Sequence, residues 1–158
     1  MEQDERKRLE AAGMTIDKAG LGDVEAVAGL LKAAGLPHED MERHVGRFLV
    51  ARREGGVVGA IGAEVCGPEA LLRSLVVAPE WQGRGVAAAL VGELEKKAGT
   101  WGVRRWWLLT MTARSFFERR GFRVRPRSEA PLAIRETEEF RELCPAQAVC
   151  MSRERRSE

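Results

Sequence analysis

Leu71 to Leu94 reads LLRSLVVAPEWQGRGVAAALVGEL, and this stretch decides how the rest of the chain is arranged. Its opening, Leu71-Leu72-Arg73-Ser74-Leu75-Val76-Val77, is a short apolar run with the branched side chains of a strand. Pro79 ends the ladder because it has no N–H to donate. Gln82-Gly83-Arg84-Gly85 is a glycine-rich turn, after which Val86, Leu90 and Leu94 recur at the spacing of one helix face. Such a strand–turn–helix aims several backbone N–H groups and the positive end of a helix dipole at one point. Phosphate suits that point. Gly83 and Gly85 permit close backbone approach, and Arg84 adds a charge.

Two common phosphate patterns are absent. Nothing reads GxxxxGK followed by Ser or Thr, and Gly83-Arg84-Gly85-Val86-Ala87-Ala88 puts alanine where GxGxxG needs its third glycine. The turn instead resembles the acyl-coenzyme A motif of the GNAT family of N-acetyltransferases. In that motif Gln or Arg is followed after two residues by Gly and, after one more residue, by Gly or Ala; Gln82, Gly85 and Ala87 fill it. The preceding Val-x-Pro and the later Phe116-Phe117-Glu118-Arg119-Arg120-Gly121-Phe122, similar to the family's FYEKLGF, fit as well. For the turn alone, an ordinary β-turn-α connection is the alternative.

The resemblance implies an α/β protein with the GNAT acyl-CoA N-acyltransferase fold, a mixed central sheet of about six to seven strands flanked by helices and splayed at the cofactor site. It implies acetyl-CoA as cosubstrate and no metal. By resemblance Gln82, Gly83, Arg84, Gly85, Val86 and Ala87 hold the cofactor's phosphates. Leu75, Val76 and Val77 lie beside the pantetheine and thioester, and Thr110 and Phe117 also line the cofactor.

Acetyl transfer to an amine requires the thioester beside the amine, removal of a proton from the amine, and donors for the carbonyl oxygen. A backbone bulge in the central strand would supply the donors. Glu64, near the end of its strand, is the candidate base, acting directly or through water; Arg73 would pair with it or bind an anionic part of the acceptor. An ordinary interstrand ion pair is the alternative for both. Alternation along a strand puts Arg73, Leu75 and Val77 on one face and Ser74 and Val76 on the other. The family often protonates the departing thiolate with a tyrosine in its FYEKLGF segment, but here Phe117 stands there and the chain has no tyrosine. Water is then the proton source, with Thr110, Thr112 and Ser115 available to orient it. Cys66, Cys144 and Cys150 are expected to be bystanders, and His38 and His44 are too sparse for a metal site.

A second resemblance concerns the acceptor. Residues 67–77, Thr110-Met111-Thr112-Ala113, Phe116-Phe117-Glu118-Arg119 and the stretch from Ala133 to Ala146 are similar to arsenic-resistance-associated N-acetyltransferases, and in part to short N-acetylglutamate synthases. This implies a small amino-acid-like acceptor carrying an anionic group, such as an arsenic- or phosphinic-containing glutamate analogue, acetylated by direct attack in a ternary complex. Arg73 and Arg135 would suit its oxyanion, with solvent-facing ion pairing as the alternative for Arg135. Acetylation of a protein or peptide amine, and acetyl-CoA binding without turnover, stay open.

Composition agrees with a globular protein. The 158 residues are 44% apolar and 32% charged, and 26 basic against 24 acidic residues give +2. That balance predicts neither nucleic acid nor an anionic membrane as partner; a homodimer is left open. Met1 to Arg6 is too acidic for a signal peptide, and three cysteines, an odd count, suggest free thiols in a cytoplasmic setting.

In order, residues 1–13 read as a charged lead expected to fray, 14–152 as a single GNAT domain and 153–158 as a loose charged tail. Within the domain, a strand from Met14 precedes a helix capped by Asp23 and a second short helix from Met41. Strands from Phe48 and Val57 flank a hairpin turn at Glu54-Gly55-Gly56 and lead into the central strand. After the helix at 85–98 come an aromatic strand to Thr110, parallel to the central one, a helix at 113–120 and a strand from Phe122. A helix over 131–143 and a last strand over 146–151 complete the expectation.

Overall fold

The computed structural model describes residues 2–143 and 145–156. Its seven strands are β1 (Met14–Lys18), β2 (Phe48–Arg53), β3 (Gly56–Cys66), β4 (Glu69–Val77), β5 (Arg105–Thr110), β6 (Arg123–Val124) and β7 (Val149–Glu154). They hydrogen-bond in the order β1-β2-β3-β4-β5-β7-β6. The β4–β5 pair is parallel, whereas β1–β2, β2–β3, β5–β7 and β6–β7 are antiparallel. The result is a mixed sheet flanked by helices, as expected. The parallel pair registers only Glu69–Leu71 with Arg105–Trp107, although both strands run on. Two compact units divide the chain, one from residues 1–63 and 74–97, the other from 64–73 and 98–158.

In the first unit, α1 (Glu2–Ala11) is a formed helix, against the expectation of fraying. It buries Leu9, and Arg6 reaches Glu93 at 3.0 Å. The β2–β3 hairpin turns through Glu54 and Gly55, both at positive φ (53° and 79°), as a tight right-twisted hairpin requires. Asp23 does not cap α2 (Val24–Ala33) with its side chain. Its carboxylate instead accepts from Gly20 N–H at 2.8 Å and from two nitrogens of Arg52 at 2.7 and 2.8 Å. A charged fork from the neighbouring strand outcompetes the helix's own amides. The core gathers Val27 and Leu31 from α2, Met41 from α3 (Met41–His44), Phe48, Val50, Ala60 and Val76. Two glycines set the packing. A Cβ at Gly62 would run into the buried Phe48 ring, and one at Gly59 would crowd the Val76 carbonyl, Leu90 and Val86. Gly59 thus allows α4 (Val86–Thr100), which buries Val86, Leu90 and Leu94, to lie close.

In the second unit, Leu71, Trp107, Ala130, Ile134, Phe140 and Cys150 form a core. Trp107 donates its indole N–H to Glu69 at 2.7 Å. The helix expected over 131–143 is two pieces, α6 (Leu132–Arg135) and a wide π-type turn at Glu139–Leu143. Between them the Thr137 hydroxyl donates to Ile134 C=O at 2.7 Å, and its oxygen accepts from Phe140 N–H at 3.3 Å. That side chain competes for the backbone groups a continuous helix would use. The last strand starts later than expected and continues through Glu154. Residues beyond it are tied down as well: Arg155 N–H bonds Arg104 C=O at 2.8 Å, and its guanidinium donates to Val103 C=O at 2.6 Å. Among the described residues no helix is long and apolar enough to cross a membrane.

Candidate active site

The expected cofactor residues of the first unit sit at the end of β4 and in the turn after it. Ser74 lies at φ 61°, a left-handed conformation that costs an L-residue about 1–2 kcal/mol. It kinks the strand where donors were expected and corrects the face assignment. Alternation cannot be counted through Ser74: Arg73 and Val76 are buried, while Leu75 and Val77 are only partly covered. Beyond it, Ala78 N–H holds Val58 C=O at 2.8 Å, and the Gln82 amide donates to Val77 C=O at 3.0 Å. Gln82 therefore ties the strand's end to the turn.

Gly83 and Gly85 both take positive φ, 78° and 87°. A Cβ at Gly83 would meet nothing within 4 Å, so conformation and not space demands glycine there. The Arg84 guanidinium stacks 4.9 Å from the centre of the Trp81 ring, and Arg53 lies 5.2 Å from the same ring. Ala89 N–H to Gly85 C=O, at 3.0 Å, is the first bond of the α4 ladder, leaving the amides of Val86, Ala87 and Ala88 without acceptors within the helix. The Val86 side chain is buried, so it offers the turn an amide and no side chain.

The second unit holds the remaining candidates. Arg73, 2% exposed, donates to Glu64 at 2.8 Å and pairs with Glu139 at 3.3 Å. The expected Glu64–Arg73 pair forms, but a second buried carboxylate shares it. Glu139 was not legible in the sequence: it lies 66 residues from Arg73, inside a segment that reads as plain helix. A guanidinium held by two carboxylates is poorly placed to offer its charge to an acceptor anion, and Glu64 is the less buried of the two acids. Arg135, for which an acceptor oxyanion or a solvent-facing ion pair was expected, donates its Nε to Ala130 C=O at 2.9 Å, a backbone tie.

Thr110 ends β5, and its hydroxyl oxygen accepts from Ala113 N–H at 3.0 Å, starting the turn into α5 (Arg114–Glu118). Phe117 is buried edge-on between Phe116 and Phe122, with ring centres 5.1 and 5.3 Å away. The ring is a packing element with no proton to give. Cys66 and Cys150 are free thiols. Burial, with Glu64 adding to it, raises the pKa of Cys66; burial outweighs Arg127 and Arg125 to push Cys150 up to about 11. Neither is disposed to be a thiolate at neutral pH. Cys144 lies outside the described residues. His44 sits 3.5 Å from the buried Asp40.

Comparison with known proteins bears on the fold and the family. An acetyltransferase of Sodalis glossinidius is 40% identical over 72 residues, which are 43% of this chain and 51% of that protein, so the chain spans about half the length of this relative. The N-acetylglutamate synthase of Neisseria gonorrhoeae, solved with coenzyme A and N-acetylglutamate, superposes with a TM-score of 0.80 at 21% identity. That match covers 91% of this chain but only 35% of the synthase. A Mycobacterium tuberculosis protein solved with CoA gives 0.74 at 22% identity, covering 87% of this chain and 97% of its own. The PaiA N-acetyltransferase of Thermoplasma acidophilum, also with coenzyme A, gives 0.68 at 17%, covering 89% and 98%. At these identities the structures share the fold. The family model "Acetyltransferase (GNAT) domain" matches residues 44–124, just over half of the sequence, and the chain belongs to that family.

Proposed function

We propose that the protein is an acetyl-CoA-dependent N-acetyltransferase acting on the amine of a small amino-acid-like acceptor, by direct attack in a ternary complex. The observation that carries this reading is the Gln82–Ala87 turn. Two left-handed glycines, a stacked Arg84 and the unpaired opening amides of a 15-residue helix make a cradle for the phosphates of coenzyme A. The kink at Ser74 supports backbone donors from Leu75 to Val77 beside the thioester. Glu64 is the proposed base. Arg73 positions it, while Glu139 holds Arg73 from the other side. Thr110 and Phe117 complete the proposed cofactor lining, and a water supplies the proton to the departing thiolate. No metal takes part in this scheme.

Coenzyme A and N-acetylglutamate in the gonococcal synthase support an acceptor of glutamate type, including arsenic- or phosphinic-containing analogues. The free thiols at Cys66 and Cys150 support a cytoplasmic setting. A second reading, a CoA-binding module without turnover, is favoured by the buried Phe117 at the position of the family's proton donor. Coenzyme A release from acetyl-CoA, measured over a panel of amino acids with glutamate and its phosphinic and arsenic analogues, separates the two. Turnover on an anionic amino acid is expected. Tight acetyl-CoA binding with no thiol released on any amine would refute the enzyme and leave the module.

A further inference from the structure

A cleft in the second unit, about 450 Å³ and remote in sequence from the glycine turn, is lined by Arg105, Arg123, Arg125, Ser152, Arg153 and Glu154 with Gly121 at its edge. We infer that this cleft binds a small, multiply charged oxyanion through Arg105, Arg123, Arg125 and the Ser152 hydroxyl.

The strands build the site. Along β7, Cys150, Ser152 and Glu154 share a face. Cys150 is covered by Ile134, Phe140 and Trp107, but the same face continues past that cover. There Ser152 registers with Arg123 of β6, and Glu154 with Arg105 of β5. The arginines are brought to one place by register, not by neighbourhood in sequence.

Two of them are fixed in advance. Arg125 pairs with Glu129 at 2.7 Å and lies 5.8 Å from the centre of the Trp107 ring. Arg153 donates to Arg120 C=O at 2.7 Å and stacks on Phe122. The other two have capacity left. The Arg123 guanidinium has no ion-pair or hydrogen-bond partner among the described residues, and that of Arg105 has only Glu154 at 3.9 Å, itself 82% exposed. On the floor, Ser152 is 4% exposed. Its oxygen accepts from Arg125 at 3.4 Å, while its own hydrogen has no acceptor among the described residues.

Three guanidiniums and a buried hydroxyl thus meet in the cleft, against the solvated Glu154 and the Glu129 that pairs with Arg125. A solvated surface cluster would need neither the concavity nor the buried donor. Planar guanidiniums bind phosphate and carboxylate oxygens in pairs, so the ligand carries two or more such groups. The volume suits a small molecule and not a polymer groove.

The test is calorimetric titration of the full chain with pyrophosphate and with citrate at low salt. Wild type is expected to bind at least one of them, and whichever binds more tightly tells phosphoryl from carboxylate chemistry. Arg123→Gln, at an exposed position, is expected to weaken binding at the cleft tenfold or more, and Ser152→Ala several-fold, whereas Arg84→Gln acts only on pyrophosphate held at the glycine turn. Pyrophosphate held at the glycine turn would show the reverse pattern, so this result does not depend on coenzyme A being the cofactor. No binding of either anion by wild type, or binding insensitive to Arg123→Gln, overturns the inference.

Discussion

Replacing Arg73 separates the structural from the chemical role of the buried charge cluster. Arg73 is enclosed, with Glu64 at 2.8 Å and Glu139 at 3.3 Å. At an effective dielectric of about 20, each pair attracts by about 5–6 kcal/mol before the cost of desolvation is subtracted. Arg73→Met removes both attractions and takes away the cation that the two carboxylates share. The expected loss is about 3–5 kcal/mol, most of a small domain's stability. Glu139→Gln keeps the Glu64–Arg73 bond and a neutral acceptor for the guanidinium, so about 1–2 kcal/mol is expected. Glu64→Gln should cost a similar amount, and removing both acids together more than the sum, because each acid still anchors the guanidinium when the other is lost. Urea unfolding of the four variants reads these values directly. The chemical role is read on folded Glu64→Gln, whose kcat should fall about 10²–10⁴-fold, as for loss of a general base. Glu139→Gln should retain most of its kcat. An Arg73→Met protein within 1 kcal/mol of wild type would refute the electrostatic argument, and equal kcat losses for the two acids would refute the assignment of Glu64 as base.

Three further outcomes follow from geometry. The Arg52 fork, with the Gly20 amide, lowers the Asp23 pKa from 3.8 to about 2, so its stabilisation is complete above about pH 5 and is lost as pH falls through about 4 towards 2. Asp23→Asn should cost about 1–2 kcal/mol at pH 7 in urea unfolding, with the gap to wild type closing over that window; a gap constant from pH 7 to 3 would contradict it. Gly85→Ala must hold an alanine near φ 87°, and is expected to weaken coenzyme A binding about tenfold by calorimetry while destabilising the fold by about 1–2 kcal/mol. Unchanged affinity would place the phosphates elsewhere. Glu69→Gln preserves an acceptor for the buried Trp107 indole and should be almost neutral in thermal unfolding, whereas Glu69→Val strands that N–H and should cost about 1–3 kcal/mol. Equal effects would mean that the indole finds another partner.

The strand–turn–helix from Leu71 to Leu94 was legible because each signal in it is local: an apolar run ending in two valines, a proline, two glycines and a helical apolar stripe. The kink could be expected from the family but not read from its own residue, since serine carries no preference for positive φ. The ends were misread for a different reason. Hydropathy marks 153–156 as surface, yet Arg153 and Arg155 satisfy backbone carbonyls of Arg120 and Val103, a stabilisation invisible to apolar counting. Glu139 is the hardest case. Only a closed tertiary structure brings it to Arg73, because the break at Thr137 redirects the segment that carries it.

The lack of room for a side chain at Gly62 sets an order on evolutionary change. Because any side chain at that position meets the edge of the Phe48 ring, residue 48 must first become smaller before residue 62 can leave glycine. The reverse order passes through an overpacked intermediate. Homologues should therefore carry Gly62 wherever they keep an aromatic residue at position 48, and the two positions should vary as a pair.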